Sequence, residues 1–156
     1  MRKVGLDELL RTADFVAVTC LLDSSTHHLI GAREFALMRP QAYFINVARG
    51  PVVDEAALIA ALESRRIAGA ALDVFEQEPI DPGNPLLSMD NVIVTPHSLC
   101  WTDECFHNMA TTGLRSVVDV LSHQRPAFVV DRAVLDHPRV VQWLAAQSTS
   151  ATSGTR

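Results

Sequence analysis

The sequence predicts an α/β fold in which four parallel strands form one sheet with helices packed beside it. Two observations lead to this prediction. Short apolar runs rich in β-branched residues recur along the chain, over residues 15–21, 42–48, 69–75 and 92–96. Segments of helical composition separate these runs, as the crossover connections between parallel strands require. We therefore expect a doubly wound parallel sheet whose strands are buried.

The helices are predicted from apolar spacing and from residues that favour helix termini. Leucines at positions 6, 9 and 10, with acidic residues early, predict a helix over 6–12. A polar turn over 23–26 precedes a short helix over 32–38, which Pro40 stops. Asp54 begins a helix over 55–64, whose alanine and leucine content favours helix formation.

The C-terminal part begins with a proline-rich loop over 76–85, which is too rich in proline for regular structure. Thr102 and the acidic residues after it predict the cap and first turn of a long helix to about Ser122. The remaining residues give weaker signals, irregular over 124–136, helical over 137–146 and disordered over 148–156.

Composition excludes several classes of partner. A net charge of −5 without a basic cluster argues against nucleic acid and anionic membranes. The sequence has no apolar run near the ~20 residues that span a bilayer, and its first residues lack a signal peptide's apolar stretch. Three cysteines without framework spacing indicate a reducing cytoplasm. Cys100, Cys105 and His107 fit no common zinc spacing, so no metal site is expected.

Four chemically active residues follow the last three strands. Arg49, Asp73, Glu78 and His97 come at or just beyond strand ends, which parallel strands present along one rim. A planar guanidinium suits a carboxylate or a 2-keto acid, and an imidazole exchanges protons near neutrality. Glu78 would hold the tautomer of His97, and Asp73 would accept a hydrogen bond from an amide such as a nicotinamide carboxamide.

Each residue also has a purely structural interpretation. Arg49 could cap its strand or pair with Asp54, Glu78 could be one more loop carboxylate, and His97 could cap a strand end. The conjunction of the residues on one rim, rather than any one of them, favours a functional interpretation.

Three stretches resemble, in the right order, signatures of the D-isomer-specific 2-hydroxyacid dehydrogenases. They are NVARGPVVDE at 46–55, GAALDVFEQEP at 69–79 and VIVTPH at 92–97. The resemblance extends from about Leu6 to about Leu135. It implies that Arg49 binds the substrate, that Glu78 is the partner of the histidine, and that His97 is the acid/base. Hydride would pass between a nicotinamide and C2 of a 2-keto or 2-hydroxy acid.

The resemblance also implies cofactor and substrate contacts. Cys20 and Asp73 match cofactor positions, and Val47, Ala48 and Arg49 match residues beside the nicotinamide, which His97 also borders. Trp101 matches a residue that lines the substrate pocket in some branches of the family, although it is equally consistent with a partly buried aromatic at a helix start. The cofactor would be NAD or NADP, because the sequence offers no residue to choose between them.

The departures from the family pattern are equally informative. The sequence contains no Gly-x-Gly, so the glycine turn that holds a pyrophosphate is missing from it. We interpret the chain as the C-terminal half of such an enzyme. Residues 1–123 would form a partial Rossmann domain with four strands, 124–147 would return towards the substrate domain, and 148–156 would be a tail.

In the family's sheet order, the strand at 15–21 would pair on one side with the first Rossmann strand, which this sequence lacks. Its unpaired apolar edge predicts self-association, and hence a homo-oligomer, or marginal stability. Two functional alternatives remain open: a non-catalytic binding module of the corepressor kind, and an inert gene remnant.

Overall fold

The structure is a computed structural model that describes residues 2–145, and the predicted tail at 148–156 lies outside the described residues. It divides into two compact units, Met1–Leu99 and Cys100–Arg156. The elements of the first unit are α1 (Leu6–Thr12), β1 (Phe15–Val18), α2 (Ala32–Leu37), β2 (Tyr43–Asn46), α3 (Glu55–Glu63), β3 (Gly69–Leu72) and β4 (Val92–Val94). Short 3₁₀ turns occupy Gly50–Val52 and Pro85–Leu87.

The strands form one parallel sheet in the order β1-β2-β3-β4, so the predicted α/β fold is confirmed. The register places Val16 opposite Phe44, Phe44 opposite Ala70, and Ala70 opposite Val92. Every strand is shorter than its apolar run predicts, because the last residues of each run leave the sheet. Those residues form the turns at the carboxyl ends of the strands, where the predicted site residues lie.

The hydrophobic core lies on one face of this sheet. Phe35 of α2 meets Phe44 of β2 edge to face, with ring centroids 5.2 Å apart. Leu58 and Leu62 of α3 are buried in the same cluster. The Asp54 carboxylate accepts a hydrogen bond from the Ala57 amide at 3.0 Å, which caps α3 as predicted. Covered in this way, one face of the sheet becomes a rigid support for the turns beyond it.

The other face of the sheet is exposed, which corrects the prediction of fully buried strands. In β1 the even-numbered residues are buried, whereas Phe15 is 67% exposed. Tyr43 stacks on Phe15, and Ile93 in β4 is 70% exposed. Among the described residues β1 pairs only with β2, so its second edge has no strand beside it.

The second unit is helical. It contains α4 (Asp103–Leu121), a 3₁₀ segment at Arg132–Asp136 and α5 (Pro138–Ala145). The Thr102 hydroxyl accepts a hydrogen bond from the Cys105 amide at 3.2 Å and caps α4, as predicted. No described residue of α4 or α5 is buried. Among the described helices, none combines the length and the apolar character needed to cross a lipid bilayer.

Candidate functional site

The turn that carries Arg49 is built by a buried asparagine and a glycine. The Asn46 side chain, 2% exposed, accepts a hydrogen bond from the Ala48 amide at 3.0 Å and donates to the Arg49 carbonyl at 3.1 Å. A Cβ at Gly50 would lie 1.8 Å from the Phe75 carbonyl oxygen. Only glycine therefore lets the turn after β2 pack directly on the backbone of the loop after β3.

Arg49 itself is exposed on this turn. Its guanidinium donates to the neighbouring Ala48 carbonyl at 2.7 Å. Among residues 2–145 it makes no ion pair with Asp54, whose carboxylate caps α3 instead. The structural alternative of an Arg49–Asp54 pair is therefore absent from this structure.

Glu78 and His97 are in direct contact. The ring Nδ1 of His97 lies 2.7 Å from Oε2 of Glu78, and the other carboxylate oxygen accepts the Phe75 amide at 3.0 Å. His97 has a φ of 52°, in the left-handed region that few residues other than glycine adopt. Because Nδ1 faces Glu78, Nε2 is the ring nitrogen free to exchange a proton with a substrate.

The electrostatics of Glu78 favour its ionised form. Partial burial by itself would raise the pKa of this carboxyl group. The hydrogen bond from His97, the Phe75 amide and the positive charges of His97 and Arg49 outweigh burial, so the pKa lies below its ordinary value. The charge of Arg49 therefore acts on Glu78, which is the carboxylate in contact with His97.

Asp73 lies beneath the turn that carries His97. Its buried carboxylate accepts hydrogen bonds from the Thr95 hydroxyl at 2.5 Å, the Ser98 amide at 3.0 Å and the Leu99 amide at 3.3 Å. Burial would raise the pKa of Asp73, but these donors lower it below its ordinary value. Asp73 therefore shapes the His97 turn, a role that its position in the sequence did not reveal.

Two concave surfaces open at this rim. A groove of about 560 Å³ at the ends of β1 and β2 is lined by Thr19, Cys20, Leu21, Leu22, Val47, Ala48 and Arg49. A second, of about 460 Å³, is lined by Phe75, Glu78, Pro79, Ile80, Pro96 and His97. The structure thus brings Cys20, Val47 and Ala48 together with Arg49. Trp101 belongs to the second unit, where it is 66% exposed and lies near Phe106.

Several residues of the site were missed by sequence reasoning. Thr95 and Gly50 act through tertiary contacts that nothing in their spacing signals, whereas Asn46 acts through local hydrogen bonds to the turn that follows it. His28, an exposed residue of the segment after β1, contacts Glu76 through its ring. The only sequence signal for the role of Asn46 is that it is a polar residue at the end of an apolar strand.

A parallel sheet that carries an arginine and a histidine–carboxylate pair at the carboxyl ends of its strands places them where open α/β domains, the class that includes the dinucleotide-binding domains, bind their ligands. The chain belongs to the D-isomer specific 2-hydroxyacid dehydrogenase family, whose NAD binding domain model matches residues 1–98. The resemblance seen in the sequence is therefore confirmed.

Named relatives agree with this assignment. Glyoxylate/hydroxypyruvate reductase B of Citrobacter koseri is 52% identical over 120 residues, which cover 77% of this chain and 37% of that protein. The crystal structure of D-lactate dehydrogenase with NAD+ from Lactobacillus jensenii has a TM-score of 0.78 and 39% identity, covering 83% of this chain and 43% of that one.

A D-isomer specific 2-hydroxyacid dehydrogenase from Xanthobacter autotrophicus Py2, in complex with NADPH and MES, has a TM-score of 0.72 and 43% identity. This match covers 81% of this chain and 51% of that one. The chain thus spans about half or less of each of these proteins.

Proposed function

We propose that this chain carries the acid–base half of an NAD(P)-dependent oxidoreductase that interconverts 2-keto and 2-hydroxy acids. The observation that carries the proposal is the 2.7 Å contact between His97 Nδ1 and Glu78 Oε2, within reach of the charge of Arg49. Membership of the family supports the reaction class, and the exposure of Arg49 on the rim supports access by a ligand.

In this proposal the three residues divide the work on a keto acid. The Arg49 guanidinium binds the substrate carboxylate and draws electron density towards the adjacent carbonyl oxygen. His97 donates a proton from Nε2 to that oxygen as the carbonyl carbon is reduced. Glu78 keeps the ring in the required orientation and stabilises the imidazolium that precedes proton donation.

The groove at the ends of β1 and β2 fits the nicotinamide end of the cofactor. Its apolar side chains suit the face of a flat ring, which Cys20, Val47 and Ala48 would border. Asp73 would face the carboxamide. Its carboxylate already accepts three hydrogen bonds from the protein and has about four acceptor sites, so it could accept one more from the carboxamide. Bound NAD or NADP supplies the hydride. The sequence contains no Gly-x-Gly, so these residues account for the nicotinamide end of the cofactor only.

The substrate class is a small 2-keto or 2-hydroxy acid. Relatives named for glyoxylate, hydroxypyruvate and D-lactate support it, and the resemblance to the family makes Trp101 a candidate substrate contact. The net charge of −5 supports a protein that does not bind nucleic acid or anionic membranes, and the free cysteines support a reducing, cytoplasmic location.

Turnover tests the proposal directly. Oxidation of NADH and of NADPH is measured by absorbance with glyoxylate and with hydroxypyruvate. We expect His97→Asn to lower kcat by about 10²–10⁴-fold, the usual contribution of a positioned acid. His107→Asn, which changes an exposed histidine of α4, is the matched control. Full turnover by His97→Asn would contradict the proposal; if the unmodified chain shows no turnover, failure of glyoxylate to shift the His97 ring resonances in the presence of NAD would contradict it instead.

Self-association is the second part of the proposal. The unpaired edge of β1 and the exposed Phe15 beside it support pairing between copies of this chain. Size-exclusion chromatography with light scattering should give a dimer or larger species, which Phe15→Glu shifts towards monomer. Val130→Glu, at an exposed position of the second unit, is the control. A stable, monodisperse monomer at high concentration would overturn this part.

A further inference from the structure

The loop after β3 makes a second imidazole–carboxylate contact outside the site described above. The Nε2 atom of His28 contacts Oε1 of Glu76. Glu76 lies two residues before Glu78, whose carboxylate contacts the ring of His97. One short loop therefore presents two carboxylates to two histidines.

Three contacts fix the start of this loop, at Phe75 and Glu76. The Phe75 amide donates to Glu78 at 3.0 Å, and the Glu76 amide donates to Oε2 of Glu55 at 2.9 Å. The third point is the contact between the Glu76 carboxylate and His28. Of the three, only the third ties the loop to the segment that follows β1.

His28 is itself fixed to the turn that carries Arg49. Its φ is 51°, and its backbone N–H donates to the Pro51 carbonyl at 2.9 Å. The ring of His27 stacks on the His28 ring with centroids 4.1 Å apart. One residue therefore contacts both turns of the site, through its backbone on the Arg49 side and through its ring on the Glu78 side.

We propose that His28 is a positioning residue that holds the Arg49 turn and the Glu78 loop together, so that Glu78 meets His97 in the observed geometry. The inference rests on the proposed function in that it assigns His28 to the same site. Both partners are partly exposed, with 41% and 33% of the side-chain surface of His28 and Glu76 accessible. Exposed pairs contribute little to global stability, so the effect is expected in the geometry of Glu78 and His97.

The tautomer of His97 reports this geometry. When Glu78 accepts a hydrogen bond from Nδ1, the neutral ring carries its proton on Nδ1. Long-range ¹H–¹⁵N spectra of the histidine-labelled chain measure the ratio of the two tautomers at a pH where the ring is neutral. We expect Glu76→Ala to lower the Nδ1–H to Nε2–H ratio of His97 at least twofold, and Glu76→Gln, which still accepts from His28, to restore it.

Variants of the histidines provide the second arm. His28→Asn removes the ring but keeps a residue that tolerates positive φ, and it should lower the same ratio at least twofold. His27→Asn, which removes the neighbouring stacked ring, should leave the ratio unchanged. If His28→Asn fails to fold, the comparison of Glu76→Ala with Glu76→Gln still tests the proposal.

The inference is overturned if the His97 tautomer is unchanged in Glu76→Ala, or if Glu76→Gln behaves like Glu76→Ala. It is equally overturned if His27→Asn lowers the ratio as much as His28→Asn does. The spectra require no turnover, so a chain in which His97→Asn keeps full turnover while the His97 tautomer depends on Glu76 would contradict the proposed function and leave the positioning role standing.

Discussion

The two units of the molecule differ in what their helices bury. In the first unit, the nine-residue helix α3 buries Leu58, Ala61 and Leu62. In the second, the nineteen-residue helix α4 buries none of its residues. Helix length therefore does not measure how firmly a segment is held, because packed apolar area provides most of the stabilisation of a helix in a protein.

The difference in burial between the two units indicates which of them can hold the site residues in fixed positions. Arg49, Glu78 and His97 follow strands whose inner face is covered by buried side chains, and the turns that carry them are fixed by Asn46 and Asp73. Trp101 begins the unit whose described helices have no buried residue. The chemistry is thus supported by the first unit.

Matched leucine substitutions test the comparison with the largest expected effect. Leu62, 1% exposed, lies in the core, whereas Leu114 on α4 is 68% exposed. Leu62→Ala should lower the free energy of unfolding by about 2–5 kcal/mol, because it leaves a cavity. Leu114→Ala should change it by less than about 0.5 kcal/mol. Urea denaturation measures both, and similar losses would contradict the contrast between the units.

A glycine substitution tests the contact between the two site turns. Gly50→Ala places a methyl group against the Phe75 carbonyl, and backbone must move to admit it. We expect a loss of about 1–3 kcal/mol, typical of overpacking. Denaturation of this variant, monitored by circular dichroism, gives the value; a loss below about 0.5 kcal/mol, as for an ordinary surface change, would show that the close approach is unimportant.

The pH dependence of stability tests the carboxylates of the first unit. The pKa values of Asp73 and Glu78 are lowered in the folded chain, so their contribution is present above the unfolded values of about 3.9 and 4.3. It is lost as the pH falls through the lower folded values. Denaturation from pH 6 to pH 2 should therefore show less acid sensitivity in Asp73→Asn than in the unmodified chain. Parallel curves would contradict the role given to Asp73.

A glycine in α4 gives the smallest expected effect. A Cβ at Gly113 would meet no atom within 4 Å. Gly113→Ala should stabilise the chain by at most about 1 kcal/mol, through helix propensity alone. Thermal denaturation measures the shift, and destabilisation would indicate a close contact at this position of α4.

The sequence was sufficient to predict the order and type of the main elements. Apolar runs located all four strands, and Asp54 and Thr102 marked helix starts that the structure confirms. Glu78 and His97 were expected to meet because parallel strands end along one rim, and they do.

The sequence did not reveal what tertiary contacts decide. Phe15, Val16, Ala17 and Val18 are all apolar, so no alternation indicated that one face of β1 is exposed. The donors to Asp73 come from residues 22 to 26 positions away, and no local pattern predicts them. The close approach of Gly50 to Phe75 likewise depends on how two loops pack.

The most direct test of the shared site is a titration followed at the His97 ring. Glyoxylate is added to the histidine-labelled chain in the presence of oxidised NAD, and the ring nitrogen shifts are recorded for the unmodified chain and for Arg49→Gln. Our account predicts saturable shifts at Nε2 of His97 that Arg49→Gln weakens at least tenfold in apparent affinity. Equal shifts in both proteins, or none in the unmodified chain, would contradict the claim that Arg49, Glu78 and His97 form one site.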